Sequence, residues 1–271
     1  MRALVCALCL HGVASFAAFT RRAAVVTALG AALPHRTQPA WAVRPYLESR
    51  FSISLPDGFA ITKKNGVSGT LFVAGNFPRA IVISVSVWAL ADLLAEDASN
   101  KALPGLDPPE PPVLPATATG SLTSLEAALG GRESFTRLLL RKRDREASAG
   151  ALQSVLLSNS DLANGKLTWS CTTEVPVADP EELYKQRGVR SINRKTVAAS
   201  FLGLTPAMAA SGGGGSADLK QPAIFSACAS ALETDWPEVG PELQAAVESF
   251  ALGAAAALPV AASEDAATTT L

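Results

Sequence analysis

The chain has 271 residues, of which 48% are hydrophobic and 17% charged, with 23 basic residues against 24 acidic ones. That balance gives no basic footprint with which to displace counterions, and so excludes a general nucleic-acid binder. The apolar content suffices for one well-buried domain and excludes a wholly disordered chain.

Residues 1–42 read as a cleaved, multipartite targeting presequence. After Arg2, the apolar stretch Ala3–Leu10 is a short first signal. The stretch from Val13 to Phe19, Val-Ala-Ser-Phe-Ala-Ala-Phe, resembles the Ala/Phe cleavage motif of plastid proteins in algae with secondary plastids. A second signal follows. Arg21 and Arg22 precede the apolar run Ala23–Leu33, which is short for a bilayer span and leads to the cleavage signature Ala40-Trp41-Ala42. An arginine pair in that position implies the twin-arginine export route. Three successive addresses result: secretory system, plastid and thylakoid lumen. A single signal peptide or a membrane anchor is the simpler alternative.

Cleavage after Ala42 would remove Arg2, Arg21, Arg22 and Arg36, leaving 19 basic against 24 acidic residues and a net charge of −5. Both histidines, His11 and His35, lie before the cut. A chain without them cannot build a Ser-His-Asp triad, a Cys-His dyad or a His-ligated zinc site. Cys171 and Cys228 are the cysteines that remain. They could form a disulfide in an oxidising compartment or stay as two separate buried thiols. No later apolar stretch is long enough to predict a membrane-spanning helix.

Along residues 43–271, Phe51-Ser-Ile53-Ser-Leu55 alternates and stops at Pro56-Asp57-Gly58. This predicts a strand and turn, with Phe59–Lys63 as the hairpin partner. Thr70–Ala74 and Ala80–Trp88 follow as strands. In the latter, Ile81, Ile83, Val85 and Val87 share one face, and Val82, Ser84, Ser86 and Trp88 the other. Prolines at 104, 108, 109, 111, 112 and 115 make Leu103–Gly120 a long loop. Leu122–Leu129 and Arg132–Arg145 are predicted helices. Ala151–Ser158 and Lys166–Val175 are predicted strands joined through the hairpin signal Asn164-Gly165, with Leu167, Trp169 and Cys171 on one face. A helical turn at Pro180–Lys185, a strand at Ser191–Leu202, a flexible insertion at Gly212–Gly215 and a strand at Pro222–Glu233 come next. Trp236–Leu252 is an amphipathic helix with Val239, Leu243, Ala246, Val247 and Phe250 at helical spacing. Pro237 and Pro241 are tolerated near its start. Residues 253–271 lack bulky apolar side chains and read as a disordered tail.

Strands, a loop with helices, more strands and a closing helix predict an α+β domain over residues 43–252, built on an antiparallel sheet. These residues resemble the PsbP family, extrinsic proteins of the photosynthetic oxygen-evolving complex and their luminal relatives. The resemblance lies in Phe51-Ser-Ile-Ser-Leu-Pro-Asp-Gly-Phe59, the strand Ile81–Val87, Asn164-Gly-Lys-Leu-Thr-Trp169 through Glu174, and Trp236 with Val247-Glu-Ser-Phe250. It covers most of Leu47–Leu252. It implies an α-β-α sandwich around a central antiparallel sheet and a non-catalytic extrinsic role at the thylakoid lumen face. The partners implied are luminal subunits of photosystem II or photosystem I, and some members depend on calcium or manganese. Ser170 replaces the family's second hairpin aromatic, and the long loops also depart from the pattern. This favours a divergent PsbP-like domain protein over the oxygen-evolving subunit itself. A luminal enzyme or a small-ligand carrier of the same fold is the alternative.

No arrangement of residues points to catalysis or to a metal. Arg137, Arg141, Lys142, Arg143 and Arg145 form a basic run that could dock on acidic faces of a photosystem subunit, or simply solvate a helix end. Arg187, Arg190, Arg194 and Lys195 form a second, weaker group. Asp92, Glu96 and Asp97 lie close enough in sequence to offer oxygens to Ca²⁺, although they lack a spaced loop motif. Trp169 and Trp236 read as packing residues. Ser211–Ser216 lacks the Lys-Ser/Thr of a phosphate loop and reads as a linker.

Overall fold

Period-two alternation in Ile81–Ala89 sets the layers of the molecule. Ile81, Ile83, Val85 and Val87 enter one buried cluster, while Trp88 enters another on the opposite side of the same sheet. The computed structural model describes residues 43–63, 68–100, 110–115, 119–148, 152–159, 165–177, 179–188, 191–206 and 220–258. The predicted presequence, Asn164, Arg190 and the Gly212–Gly215 insertion lie outside these residues.

The strands are β1 (Val43–Leu47), β2 (Phe51–Pro56), β3 (Ala60–Lys63), β4 (Gly69–Asn76), β5 (Ile81–Ala89), β6 (Gln153–Asn159), β7 (Lys166–Val175), β8 (Ile192–Pro206), β9 (Lys220–Leu232) and β10 (Ala251–Leu252). The helices are α1 (Leu90–Asn100), α2 (Leu122–Ala128), α3 (Arg132–Ser148), α4 (Pro180–Arg187) and α5 (Trp236–Glu248). A seven-stranded antiparallel sheet runs in the order β3-β4-β5-β9-β8-β7-β6, and a small sheet in the order β1-β2-β10.

Helix α5 and the small sheet cover one face of the large sheet through Phe51, Phe72, Val85, Phe225, Leu243 and Phe250. Helices α1, α2 and α3 cover the other through Leu93, Leu125, Phe135, Leu139, Trp169 and Ile224. The molecule is therefore an α+β sandwich with helices on both faces of an antiparallel sheet, as the element order predicts.

Several boundaries differ from the sequence reading. Strand β3 pairs with β4 in the large sheet rather than with β2. Both edges of β2 are occupied, by β1 and by β10, so no edge is left for a hairpin partner. The last helix stops at Glu248. Ser249 then uses its hydroxyl twice, donating to the Ala246 carbonyl at 2.6 Å and accepting the Ser54 N–H at 2.8 Å. Residues 251–252 leave as β10.

The predicted disordered tail also begins too early. Residues 253–258 are anchored: Ala256 is fully buried and its carbonyl accepts the Leu204 N–H at 2.8 Å. The Gly253 N–H reaches the Arg50 carbonyl at 2.8 Å. Glycine is required at this approach, because a Cβ on Gly253 would sit 2.2 Å from the Ser49 carbonyl oxygen, and one on Gly203 would sit 2.6 Å from that of Ala256. Both obstacles are backbone atoms, which cannot rotate aside.

Replacing Gly253 or Gly203 by alanine is therefore expected to cost about 1–3 kcal/mol through overpacking. Urea unfolding measures it, and an unchanged midpoint in both variants would show that the 253–258 turn does not hold these contacts.

Candidate functional site

The basic run of α3 does not form one surface patch. Helical spacing puts Thr136, Leu139, Leu140 and Arg143 on one side of the helix, so Arg143 points under the sheet. Its guanidinium donates to Ser154 Oγ at 3.3 Å, Cys171 Sγ at 3.2 Å, Thr173 Oγ1 at 3.4 Å and Thr196 Oγ1 at 3.1 Å. It approaches Asp144 at 3.4 Å, and Asp144 in turn accepts from the Ser154 N–H at 2.9 Å and the Ser154 hydroxyl at 2.8 Å. The half-buried charge is met by hydroxyls and by the Asp144 carboxylate, which together offset its loss of water.

The neighbours of Arg143 tie α3 to α1. Arg141 bonds Asp97 at 2.7 Å, Lys142 pairs with Glu96 and lies 3.5 Å from Glu146, and Arg145 lies 3.5 Å from Glu96. Glu146 also accepts the Trp88 indole N–H at 2.8 Å. Arg137, 56% exposed, pairs within its own helix with Glu133. Of the five, Arg137 and Arg141 are the two that present most surface to solvent.

The proposed calcium oxygens meet the same cations. Asp97 and Glu96 are paired with α3, while Asp92 is exposed elsewhere on α1. Among the described residues no three His, Cys, Asp or Glu side chains are grouped to hold a metal ion. Among the described residues, Asp92, Glu96 and Asp97 do not converge as a calcium site.

Cys171 and Cys228 are free and buried. They sit on β7 and β9, with β8 between them, Cys171 opposite Thr196 and Cys228 opposite Ala198. Two strand spacings separate them by roughly 10 Å, beyond disulfide reach. Burial pushes the Cys228 thiol up to about 11, and raises that of Cys171 as well. The structure thus has the separate thiols, not the bridge.

The opposite face of the sheet carries an open groove of about 380 Å³. Helix α5 is too narrow to cover the outer strands, so Ser158, Thr168, Ser170, Lys195, Trp236 and Gln244 line the gap between it and β6–β8. The Lys195 ammonium lies 5.3 Å from the centre of the Trp236 ring, a cation–π contact. Lys166 donates to the Glu248 carbonyl at the helix C-terminus and lies 5.5 Å from the centre of Phe201. Its ammonium is lowered below the ordinary lysine value, chiefly by burial, with Glu248 opposing. A cation, an aromatic face and hydroxyls can bind and orient a polar chain.

Of the second basic group, Lys195 lines this groove. Arg194 faces the other side, donating to Ser230 Oγ at 3.0 Å and to the Ala80 carbonyl at 2.7 Å. The groove was not legible as a site in the sequence. Its one signal was the serine at position 170, which leaves that face of β7 without a bulky side chain.

No family model matches the chain, and no curated protein does. Among solved structures it is similar to the solution structure of cyanobacterial PsbP (CyanoP) from Synechocystis sp. PCC 6803, at 15% identity and a TM-score of 0.43, over 84% of this chain and 98% of that chain.

Two predictions follow from the α3 network. Replacing Arg143 with methionine should cost about 3–5 kcal/mol, because it leaves Asp144 buried without its cation, and lysine should not restore the fork of hydrogen bonds. Equilibrium unfolding of the two variants is the measurement. The pH dependence has a definite sign. Asp144 and Glu146 are both raised above ordinary carboxylate values, first of all by burial. Their contribution to stability is greatest below their unfolded values of 3.8 and 4.5 and is lost as pH rises through the folded ones. The double variant Asp144→Asn, Glu146→Gln should therefore lose less stability than the native chain as pH rises from the unfolded values of 3.8 and 4.5 through the raised folded ones. Parallel stability profiles would refute it.

Proposed function

We propose that the protein is a non-catalytic extrinsic component of the thylakoid lumen that docks on a photosystem, with photosystem II the first candidate, in a structural or an assembly role. The observation that carries this reading is the composition of the groove. Thr168 comes from the family-like hairpin strand, and Trp236, Val247 and Glu248 from the family-like closing helix, yet all four line the same opening. Residues distant in sequence that resemble one family and converge on one exposed surface support the reading of that surface as the docking one.

The other motif residues fill the core beside it, with Phe51, Ile53, Leu55, Ile83, Val85 and Phe250 in one buried cluster. The family-like segments therefore divide into those that build the sandwich and those that line the groove. The arginine pair Arg21-Arg22 and the Ala40-Trp41-Ala42 signature support the luminal address. Docking through side chains already ordered by cation–π and hydroxyl contacts loses little rotamer entropy on binding. Arg137 and Arg141, the solvent-facing part of the basic run, would add long-range attraction to an acidic partner.

A small-ligand carrier would need an apolar cavity between sheet and helices. Here both sheet–helix interfaces are packed with fully buried side chains such as Phe225, Leu125 and Phe135.

The test is affinity capture of photosystem complexes from detergent-solubilised thylakoids by the tagged protein, followed by native gels. Co-migration with photosystem II is expected, and Trp236→Ala with Lys195→Glu should reduce capture about tenfold, while Arg137→Glu should have a smaller, salt-dependent effect. A protein that migrates alone under all conditions would sink the proposal.

A further inference from the structure

The groove beside α5 has a direction, and that direction limits what can lie in it. On β7 and β8 the residues facing it fall into successive rows: Thr168, then Ser170 beside Val197, then Lys195. Ser158 of β6 joins the middle row, its hydroxyl 2.7 Å from that of Ser170. Rows on the same face of a sheet stand about 6.8 Å apart. Helix α5 runs alongside them, with Trp236 at Lys195 and the Glu248 carbonyl at Lys166. The helix from Trp236 to Glu248 and the strand from Lys166 to Thr172, in register with Lys195, both measure about 20 Å. The groove is thus a trough parallel to the strands, walled by α5 and floored by hydroxyls.

Charge is unequal along the trough. At one end Lys166 donates to the Glu248 carbonyl, and the charges of the two residues offset one another. At the other, the Lys195 ammonium lies against the Trp236 ring, and among the described residues no carboxylate pairs with it. In the middle, one hydroxyl hydrogen of the Ser158–Ser170 pair lies between the two oxygens, which leaves the other O–H to donate outward. Val197 and Val247 add a small apolar strip. A second helix laid here would bury those hydroxyls against a backbone whose own polar groups are already bonded to one another. An extended chain has unbonded carbonyl and N–H groups to offer, and its side chains repeat at the same spacing as the rows.

We infer that the groove takes an extended, acidic peptide segment of the partner, with a carboxylate at Lys195, backbone groups on Ser158 and Ser170, and an aliphatic side chain against Val197 and Val247. About six residues in extended conformation span the trough. The acidic residue belongs at the Trp236 end, where the positive charge has no acid beside it. Its carboxylate would bind an ammonium already held in place by the indole face, so little side-chain freedom is lost. This inference rests on the reading of the groove as the docking surface, and adds the chemistry that the surface selects.

Fluorescence anisotropy with dye-labelled peptides and the purified full chain tests it. The probe is an octapeptide of alternating valine and aspartate, a sequence that favours an extended backbone. It should bind saturably, and at least about tenfold more tightly than either its counterpart with lysine for aspartate or a stapled helical peptide of the same charge. Lys195→Met keeps an apolar stem on Trp236 and removes the charge. It should weaken binding of the acidic probe about tenfold while near-ultraviolet circular dichroism stays native. Ser170→Tyr, which fills the floor of the trough, should do the same. Arg137→Glu, on α3 across the sheet, should change the affinity less than about twofold at physiological salt. Absent probe binding, equal binding of the lysine or the helical peptide, or binding indifferent to Lys195→Met would each overturn the inference. Peptide binding without photosystem capture would uphold it and sink the photosystem as partner, whereas capture without peptide binding would do the reverse.

Discussion

Strand β9 is buried on both faces, and the placement of the other elements follows from that. Its odd-numbered residues Ala223, Phe225, Ala227, Ala229 and Ala231 belong to one core, and Ile224 and Cys228 to the other. A strand in that position needs partners on both edges, which β5 and β8 supply, and cover on both faces. The alanines set how closely that cover can come. With side chains of one carbon in the centre of the sheet, α5 can lie close to it, and the large side chains of the interface come from outside: Phe51 from β2, Leu243 and Val247 from α5, and Phe250 just beyond it. Small residues in the sheet and bulky ones in the layers above interdigitate as a packed interior requires.

Cover on the two faces is unequal in width, and the surface features derive from this. On one side three helices reach from β5 across to β6, where α3 grips the edge strand through Asp144 and Ser154. On the other, a single helix and a small sheet stop short of β6 and β7. The side chains left uncovered there, Thr168, Ser170 and Thr172, are polar or small, as an exposed antiparallel face demands. The groove beside Trp236 is the step between the covered and the bare parts of one sheet.

Much of this was written plainly in the sequence, and the exceptions have physical causes. Strict alternation in Ile81–Val87 and in Leu167–Cys171 identified strands and their buried faces, because side-chain direction in a strand is fixed by the backbone alone. The pairing of β3 was not legible, since a Pro-Asp-Gly turn reveals that the chain bends but not that both edges of β2 are taken. The end of α5 was hidden because Val247 and Phe250 keep helical spacing past the point where Ser249 diverts the backbone. Residues 253–258 looked featureless for a related reason: they are held by backbone hydrogen bonds and by the absence of Cβ atoms at Gly253 and Gly203, which no apolar pattern records. The groove is a relation between α5 and strands distant in sequence, so only its individual residues could be seen beforehand.

The basic run shows how a charge cluster can mislead when its helical face is ignored. Five cations within nine residues, Arg137 to Arg145, suggest an external patch, but a helix turns 100° per residue and distributes them around its circumference. Lys142, Arg143 and Arg145 consequently face α1 and the sheet, where each meets oxygens. Arg143 in particular occupies a polar channel of Ser, Thr and Cys side chains contributed by β6, β7 and β8. Replacing such a buried ion by apolar packing is often neutral or stabilising in proteins, so its retention is poorly explained by stability alone. What the guanidinium does supply is register: its fork fits only when Ser154, Thr173 and Thr196 lie in adjacent rows. A slip of β6 by one residue would remove Ser154 from Arg143 and Asp144 together. The half-buried cation thus fixes the alignment of the outermost strand, together with Asp144, which accepts the Ser154 N–H.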